Sequence, residues 1–278
     1  MTRRTPVSGV VLAAVLLASV IDYDRGGYDY RGFWAGRDYE WWAERRVLRR
    51  LVAQLGRPRW LVDFGGGFGR NLEHYRDRAE RAVIVDYSFE NLRRTAEEHR
   101  PEMAAGRLLL VRADLNRLPF RDQAFDAALI VRVLHHLPDV DRALGEMGRV
   151  VHDRWILDVP IKHHLLARAR ALRHGDRADL KSTAPRVSGS SDFPFSTFQL
   201  GAVRERLSAL GFDTTLAASV NNFRRWDRKL PAPMLRALRP VVYGLELAAQ
   251  RAGRGWWGPS QFVVARRRAD TATRGAST

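Results

Sequence analysis

Short apolar runs alternate along the chain with segments whose apolar positions recur every three to four residues. Val47, Leu48, Leu51, Val52 and Leu55 share one helical stripe, closed by Gly56 and Pro58, so a helix is expected from about residue 40. Strands are expected at 60–62, 82–85, 108–111, 125–131 and 155–159, each a nearly continuous apolar run. Helices fall between them. Ser88 is placed to cap one that runs to about residue 99, and Asp139 another with Val140, Leu144, Met147 and Val151 on its apolar face. Beyond Pro160 the rhythm loosens. A basic helix over 163–173 precedes a polar loop over 175–191. Ser196-Thr197-Phe198-Gln199 then reads as a capping box for a helix carrying Leu200, Val203, Leu207 and Leu210. A strand at 212–220, a basic helix over 231–254 with Leu235, Leu238, Val242, Leu245 and Leu247, and a strand at 261–265 complete the pattern.

Buried strands alternating with helices predict an α/β fold. A doubly wound, Rossmann-like sheet of about seven strands, mostly parallel, carries helices on both faces. Such sheets bind ligands at the carboxyl ends of their strands, and Asp63, Asp86, Asp114, Arg132 and Asp158 all fall near strand ends. Residues 1–22 form an apolar extension and 23–267 the main domain. Within it, 162–195 is a lid-like segment and 221–258 a basic helical insertion, and 268–278 is expected to be a disordered tail.

Composition narrows the chemistry. The 278 residues include no cysteine, which excludes disulfides, thiolate metal sites and a cysteine nucleophile. No His-Glu-x-x-His or comparable pattern suggests a metal site. The formal charge is +16, but it comes from 44 Arg against 3 Lys spread over the whole length, with no aromatic–basic recognition module. Nucleic acid is therefore not an expected partner.

The candidate site begins at Asp63-Phe64-Gly65-Gly66-Gly67-Phe68-Gly69, where a strand gives way to four glycines and then to helical spacing at Asn71, Leu72 and Tyr75. Glycines let a ligand approach the backbone, and a helix start offers unpaired N–H groups. The dinucleotide fingerprint fails, because Arg70 or Leu72 stands where its third glycine belongs. Asp86, at the end of the second strand, is suited to the two hydroxyls of a ribose, and Asp114 to an adenine amino group.

Taken with the later blocks, the chain resembles the class I S-adenosylmethionine-dependent methyltransferases, in the type 11-like small-molecule branch that includes quinone-biosynthesis C-methyltransferases. Those blocks are Val85-Asp86-Tyr87-Ser88, Ala113-Asp114-Leu115, Leu118-Pro119-Phe120, Ala124-Phe125-Asp126, Val133-Leu134-His135-His136-Leu137-Pro138-Asp139 and Glu146-Met147-Gly148-Arg149-Val150. The likeness covers residues 61–159. It departs where Val151-His152-Asp153-Arg154 replaces a Lys-Pro-Gly-Gly turn, which shortens the approach to the fifth strand. The resemblance implies S-adenosyl-L-methionine as cofactor and an antiparallel last strand. It places Gly65 and Gly67 at the methionine–ribose junction, Asp86 with adjoining Tyr87 at the ribose, Asp114 and Leu115 at the adenine, and Val131 and Arg132 at the methyl end. Asp63 would order the loop or approach the amino group. Arg37 would meet the cofactor carboxylate or remain solvated.

The implied function is methyl transfer to a small molecule, including lipid-like or secondary-metabolite acceptors. The alternative is an inactive S-adenosylmethionine-binding or regulatory protein of the same fold. His135 and His136 are the candidate general bases, although one of them would equally serve to cap the next helix. Phe193, Phe195, Phe198, Phe223, Trp226, Trp256 and Trp257 would wall an acceptor pocket or fill the core. The uncharged run over 7–21 is too short to span a bilayer. A cytosolic cofactor favours a packed helix or a misplaced start over a signal peptide there. The expected location is cytoplasmic, and the basic insertion is compatible with peripheral membrane contact.

Overall fold

The structure is a computed structural model that describes residues 24, 32–175, 177–189, 194–224, 226 and 230–269. The expected N-terminal extension over 1–22, Phe193, and the tail from 270 onward lie outside the described residues. Helix α1, Asp38–Ala53, buries the predicted stripe against strand β1, Trp60–Phe64. The glycine loop follows, then a single short helix α2, Leu72–Tyr75. Strand β2, Arg81–Asp86, leads to helix α3, Phe89–Glu98, where the Ser88 hydroxyl accepts from the Asn91 N–H as predicted. Such a cap contributes about 1 kcal/mol. Helix α4, Arg100–Ala104, and strands β3, Leu108–Arg112, and β4, Phe125–Ile130, complete the first half.

Helix α5, Val140–Val150, is capped by Asp139 and runs into strand β5, Val151–Pro160, with no intervening residue. Val151 is thus the first strand residue rather than part of the helical face. The expected shortened turn is absent altogether.

Among the described residues, seven strands join one sheet in the order β3-β2-β1-β4-β5-β9-β8, where β8 is Phe212–Val220 and β9 is Ser260–Arg267. Strands β1 to β5 pair in parallel, and β9 runs antiparallel to β5 on one side and β8 on the other. The order reverses at β1, between β2 and β4, and opens a crevice beside the glycine loop. Side chains alternate across the sheet. Val62, Val83, Ala128 and Leu157 pack on the face covered by α5, whereas Leu61, Ile84, Leu129 and Ile156 pack on the face covered by α1.

The segment after β5 differs most from expectation. His163 and His164 precede helix α6, Leu165–His174, instead of belonging to it. Where a polar loop was expected, helix α7, Arg177–Lys181, and strand β6, Arg186–Gly189, are formed; β6 pairs antiparallel with β7, Pro194–Thr197. Ser196 and Thr197 therefore belong to a strand and cannot cap. Gln199 does so, its side chain accepting from the Ala202 N–H at 2.7 Å to start helix α8, Leu200–Ala209. Helix α9, Ala232–Ala252, forms the insertion. Arg268, expected in a disordered tail, is tied down through its N–H to the Gly211 carbonyl and its guanidinium to Ser208.

Candidate functional site

Gly65, Gly67, Asp86, Tyr87, Asp114, Leu115, Arg132 and His136 line one cavity at the carboxyl ends of β1, β2 and β4, with about 690 Å³ of empty space measured out to its open mouth. Gly65 and Gly67 have positive φ, and a Cβ at Gly65 would lie 2.4 Å from the Val133 side chain. Only glycine suits that turn. The Asp86 carboxylate accepts from the Gly67 N–H at 2.8 Å and from the Ser88 N–H at 2.9 Å. The loop amide expected to face a ligand is thus partly spent on orienting the acid. Burial pushes the Asp86 carboxyl up to about 6, against the lowering effect of these two bonds. Asp114 uses Oδ1 for the N–H and amide of Asn116, and Oδ2 has no hydrogen-bond partner among the described residues.

Four candidates lie elsewhere. Asp63 is fully buried beneath the loop, and Oδ2 accepts from the Tyr75 hydroxyl and the Asn71 amide. Burial raises its carboxyl to about 7. Val131 packs in the core on the α1 side. Arg37 is ion-paired to Glu40 at 3.0 Å. His135 lines a different cavity.

A buried charge cluster connects these parts. Glu44 on α1 accepts from Arg70 at 3.0 Å, from Arg132 through Nε at 2.8 Å, and from the Asn221 amide at 3.1 Å. Burial alone would raise the Glu44 carboxyl, but Arg132 and Arg70 hold it well below its ordinary value. Arg132 has φ 63° and occupies the left-handed region, which turns its side chain away from β4 towards Glu44 and Asp158. Such a conformation is uncommon for a residue other than glycine and tends to mark functional turns. Sequence reasoning missed Glu44 and Arg70 because they sit on elements far apart along the chain. It also missed Asp24, which accepts from the Ser88 hydroxyl and the Phe89 N–H and so braces the turn after Asp86.

The second cavity is lined by Arg132, His135, Asp158, His164, Arg170, Phe195, Asn221 and Arg224, among others. Arg132 borders both cavities, and the His135 and His136 rings, 3.9 Å apart, stand on the wall between them. Phe195 of β7 covers His135 at 4.4 Å. Burial drives His135 well below its ordinary value, with His136 and Arg132 adding to the effect, and burial lowers His136 to about 4. Both imidazoles are therefore neutral near pH 7. Of the other aromatics proposed for a pocket, Phe198 is core, and Phe223, Trp256 and Trp257 pack on one another.

Strand order, reversal point and glycine-loop cavity together define a Rossmann-like fold, and residues 62–154 match the family described as the methyltransferase domain. Over those residues the chain is similar to that family. Its relatives include the demethylmenaquinone methyltransferase of Thermobifida fusca, 35% identical over 124 residues that make up 39% of this chain and 52% of that protein. The malonyl-[acyl-carrier protein] O-methyltransferase of Geobacter sulfurreducens is 28% identical over 246 residues, 84% of this chain and 82% of that protein. The chain thus spans about half the length of the first relative and most of the second. A 1,6-didemethyltoxoflavin-N1-methyltransferase of Burkholderia thailandensis, solved with 1,6-didemethyltoxoflavin and S-adenosylhomocysteine, shares the fold. It has a TM-score of 0.57 at 18% identity and covers 96% of this chain and 94% of that one.

Proposed function

We propose that the protein transfers a methyl group from S-adenosyl-L-methionine to a small-molecule acceptor. The observation that carries this reading is the pair of cavities meeting at Arg132 and the His135–His136 wall. The first cavity suits an adenosine bearing a methionine tail. Asp86 keeps acceptor lone pairs for a vicinal diol, Asp114 Oδ2 is available to an amino group, and Leu115, Val133, Leu137 and Pro138 offer apolar walls to a flat base. When bound, the cofactor supplies an electrophilic methyl group on a sulfonium. The chain's own residues then hold the acceptor in line and exclude water. His136, facing the first cavity, and His135, facing the second, are neutral and can accept a proton from an acceptor that must lose one. Their depressed basicity makes each a weak base until negative charge is placed nearby.

Calorimetry with S-adenosylmethionine, S-adenosylhomocysteine and NAD tests the donor, and an acceptor screen with labelled methyl groups tests the transfer. We expect the two sulfur ligands to bind and NAD not to. NAD binding alone would overturn the reading. Binding of the sulfur ligands without transfer to any acceptor would favour a regulatory protein of this fold.

A second reading concerns where the acceptor is met. On α9, Met234, Leu238, Val241 and Leu245 follow one another at spacings of four, three and four, and all are at least 38% exposed. Arg236, Arg239 and Arg251 lie on the same helix. An apolar stripe with flanking arginines suits the surface of an anionic bilayer. No helix among the described residues is long and apolar enough to cross a membrane. The protein is expected to co-sediment with phosphatidylglycerol vesicles, and a double change, Leu238→Asp with Leu245→Asp, to abolish this. Equal sedimentation of both proteins would remove the membrane reading.

A further inference from the structure

Charge in the second cavity is unevenly matched. Three guanidiniums line it, those of Arg132, Arg170 and Arg224, together with the imidazoles of His135 and His164, while Asp158 is its one lining carboxylate among the described residues. Glu44 and Glu40 stand behind the wall against Arg132 and Arg224, but Glu44 is shared with Arg70 and Glu40 with Arg37. Glu246, behind Asn221 and Asn222, is already engaged by Tyr39, Asn222 and Gln250. Among the described residues, the cavity's own lining thus sets three guanidiniums against one carboxylate. Burial also raises the Asp158 carboxyl, although Arg132 acts to lower it. Arg170 forms no ion pair with any described residue, and the buried Nδ1 of His164 has no hydrogen-bond partner there. The His164 imidazole is held down at about 4 by burial and then by Arg170. The rest of the lining is mixed: Pro160, Ile161, Leu166, Phe195 and Pro259 are apolar, and Ser188, Thr197, Asn221, Asn222 and Ser260 are polar.

We infer that the methyl acceptor is an amphiphile with an acid group, its apolar body against Phe195, Ile161 and Leu166 and its carboxylate or phosphate between His164, Arg170 and Arg224. A charge-assisted hydrogen bond from a guanidinium to such an acid is roughly twice as strong as a neutral one. The same anion would raise the basicity of His135, which Arg132 and Arg224 now lower. This inference rests on the second cavity being the acceptor site.

Octanoate and octyl phosphate, with octanamide as the neutral control, are the probes, titrated into protein saturated with S-adenosylhomocysteine and followed by ligand-observed NMR. We expect either acid to bind about tenfold more tightly than the amide, a preference that Arg170→Gln reduces severalfold. Preference for octyl phosphate alone would assign a phosphate, and for octanoate alone a carboxylate. Equal binding of acid and amide, or a preference unchanged in Arg170→Gln, would overturn the inference while leaving the donor site standing. Acid preference in a protein that does not bind S-adenosylhomocysteine would support an anion site and remove the methyltransferase reading instead.

Discussion

Asp86 has the most consequential single ionisation. Its carboxyl titrates at about 6 in the folded chain, against 3.8 for an ordinary aspartate, because it is buried. The folded state therefore binds this proton more tightly than the unfolded state. The stability it contributes is complete below pH 3.8 and is lost as pH rises through about 6. Cofactor binding through Asp86, as proposed, is expected to have the opposite dependence, since hydroxyl donors favour the ionised acid. Affinity for S-adenosylhomocysteine is expected to fall by roughly tenfold per unit below about pH 6. Asp86→Asn should bind more weakly above about pH 6 and lack this slope, as calorimetry across that range would show. Asp63 titrates nearby but bonds Tyr75 and Asn71, so a slope persisting in Asp86→Asn would assign the effect to Asp63. At this scale, the sequence already disclosed Asp86, Asp114, Gly65 and Gly67, which follow one another at strand ends. Glu44, Arg70 and Asp24 were not legible, because only folding brings them to Arg132 and Ser88.

Among the elements, α9 inverts the usual placement of apolar and polar side chains. Leu238, Leu245 and Leu247 of this basic helix are exposed, whereas Glu246 and Gln250 are buried. The helix is fastened by polar contacts. Glu246 accepts from the Tyr39 hydroxyl at 2.6 Å, from the Asn221 N–H at 3.2 Å and from the Asn222 N–H at 3.0 Å. Glu246→Ala would orphan those buried donors and is expected to cost about 2–4 kcal/mol, read as a lower melting temperature and earlier proteolysis within 221–258. Glu246→Gln should be milder, because burial already favours the uncharged carboxyl and the amide keeps one acceptor. Equal stability of Glu246→Ala and the parent chain would show that the insertion is held by its apolar contacts instead. The β6–β7 pair was illegible for a related reason. The exposed Arg186–Gly189 segment gains its strand conformation from a partner that the local pattern does not announce.

Over the whole molecule, the alternation of apolar runs was enough to predict a covered, mostly parallel sheet, and the sheet obeys this. The lateral order of the strands is not a property of any one run, and the placement of β9 between β5 and β8 emerges only from the assembled sheet. That placement constrains synthesis. Arg154 pairs with Arg266, and Phe212 with Arg267, so the strand that unites the two parts of the sheet leaves the ribosome after every other described strand. Until then β5 presents an unpaired edge and β8 has no neighbour in this sheet. Contacts so distant along the chain form slowly, and open strand edges invite pairing with other chains. The nascent protein thus carries open strand edges with both cavities' glycine and histidine segments already made, until eight residues close the sheet.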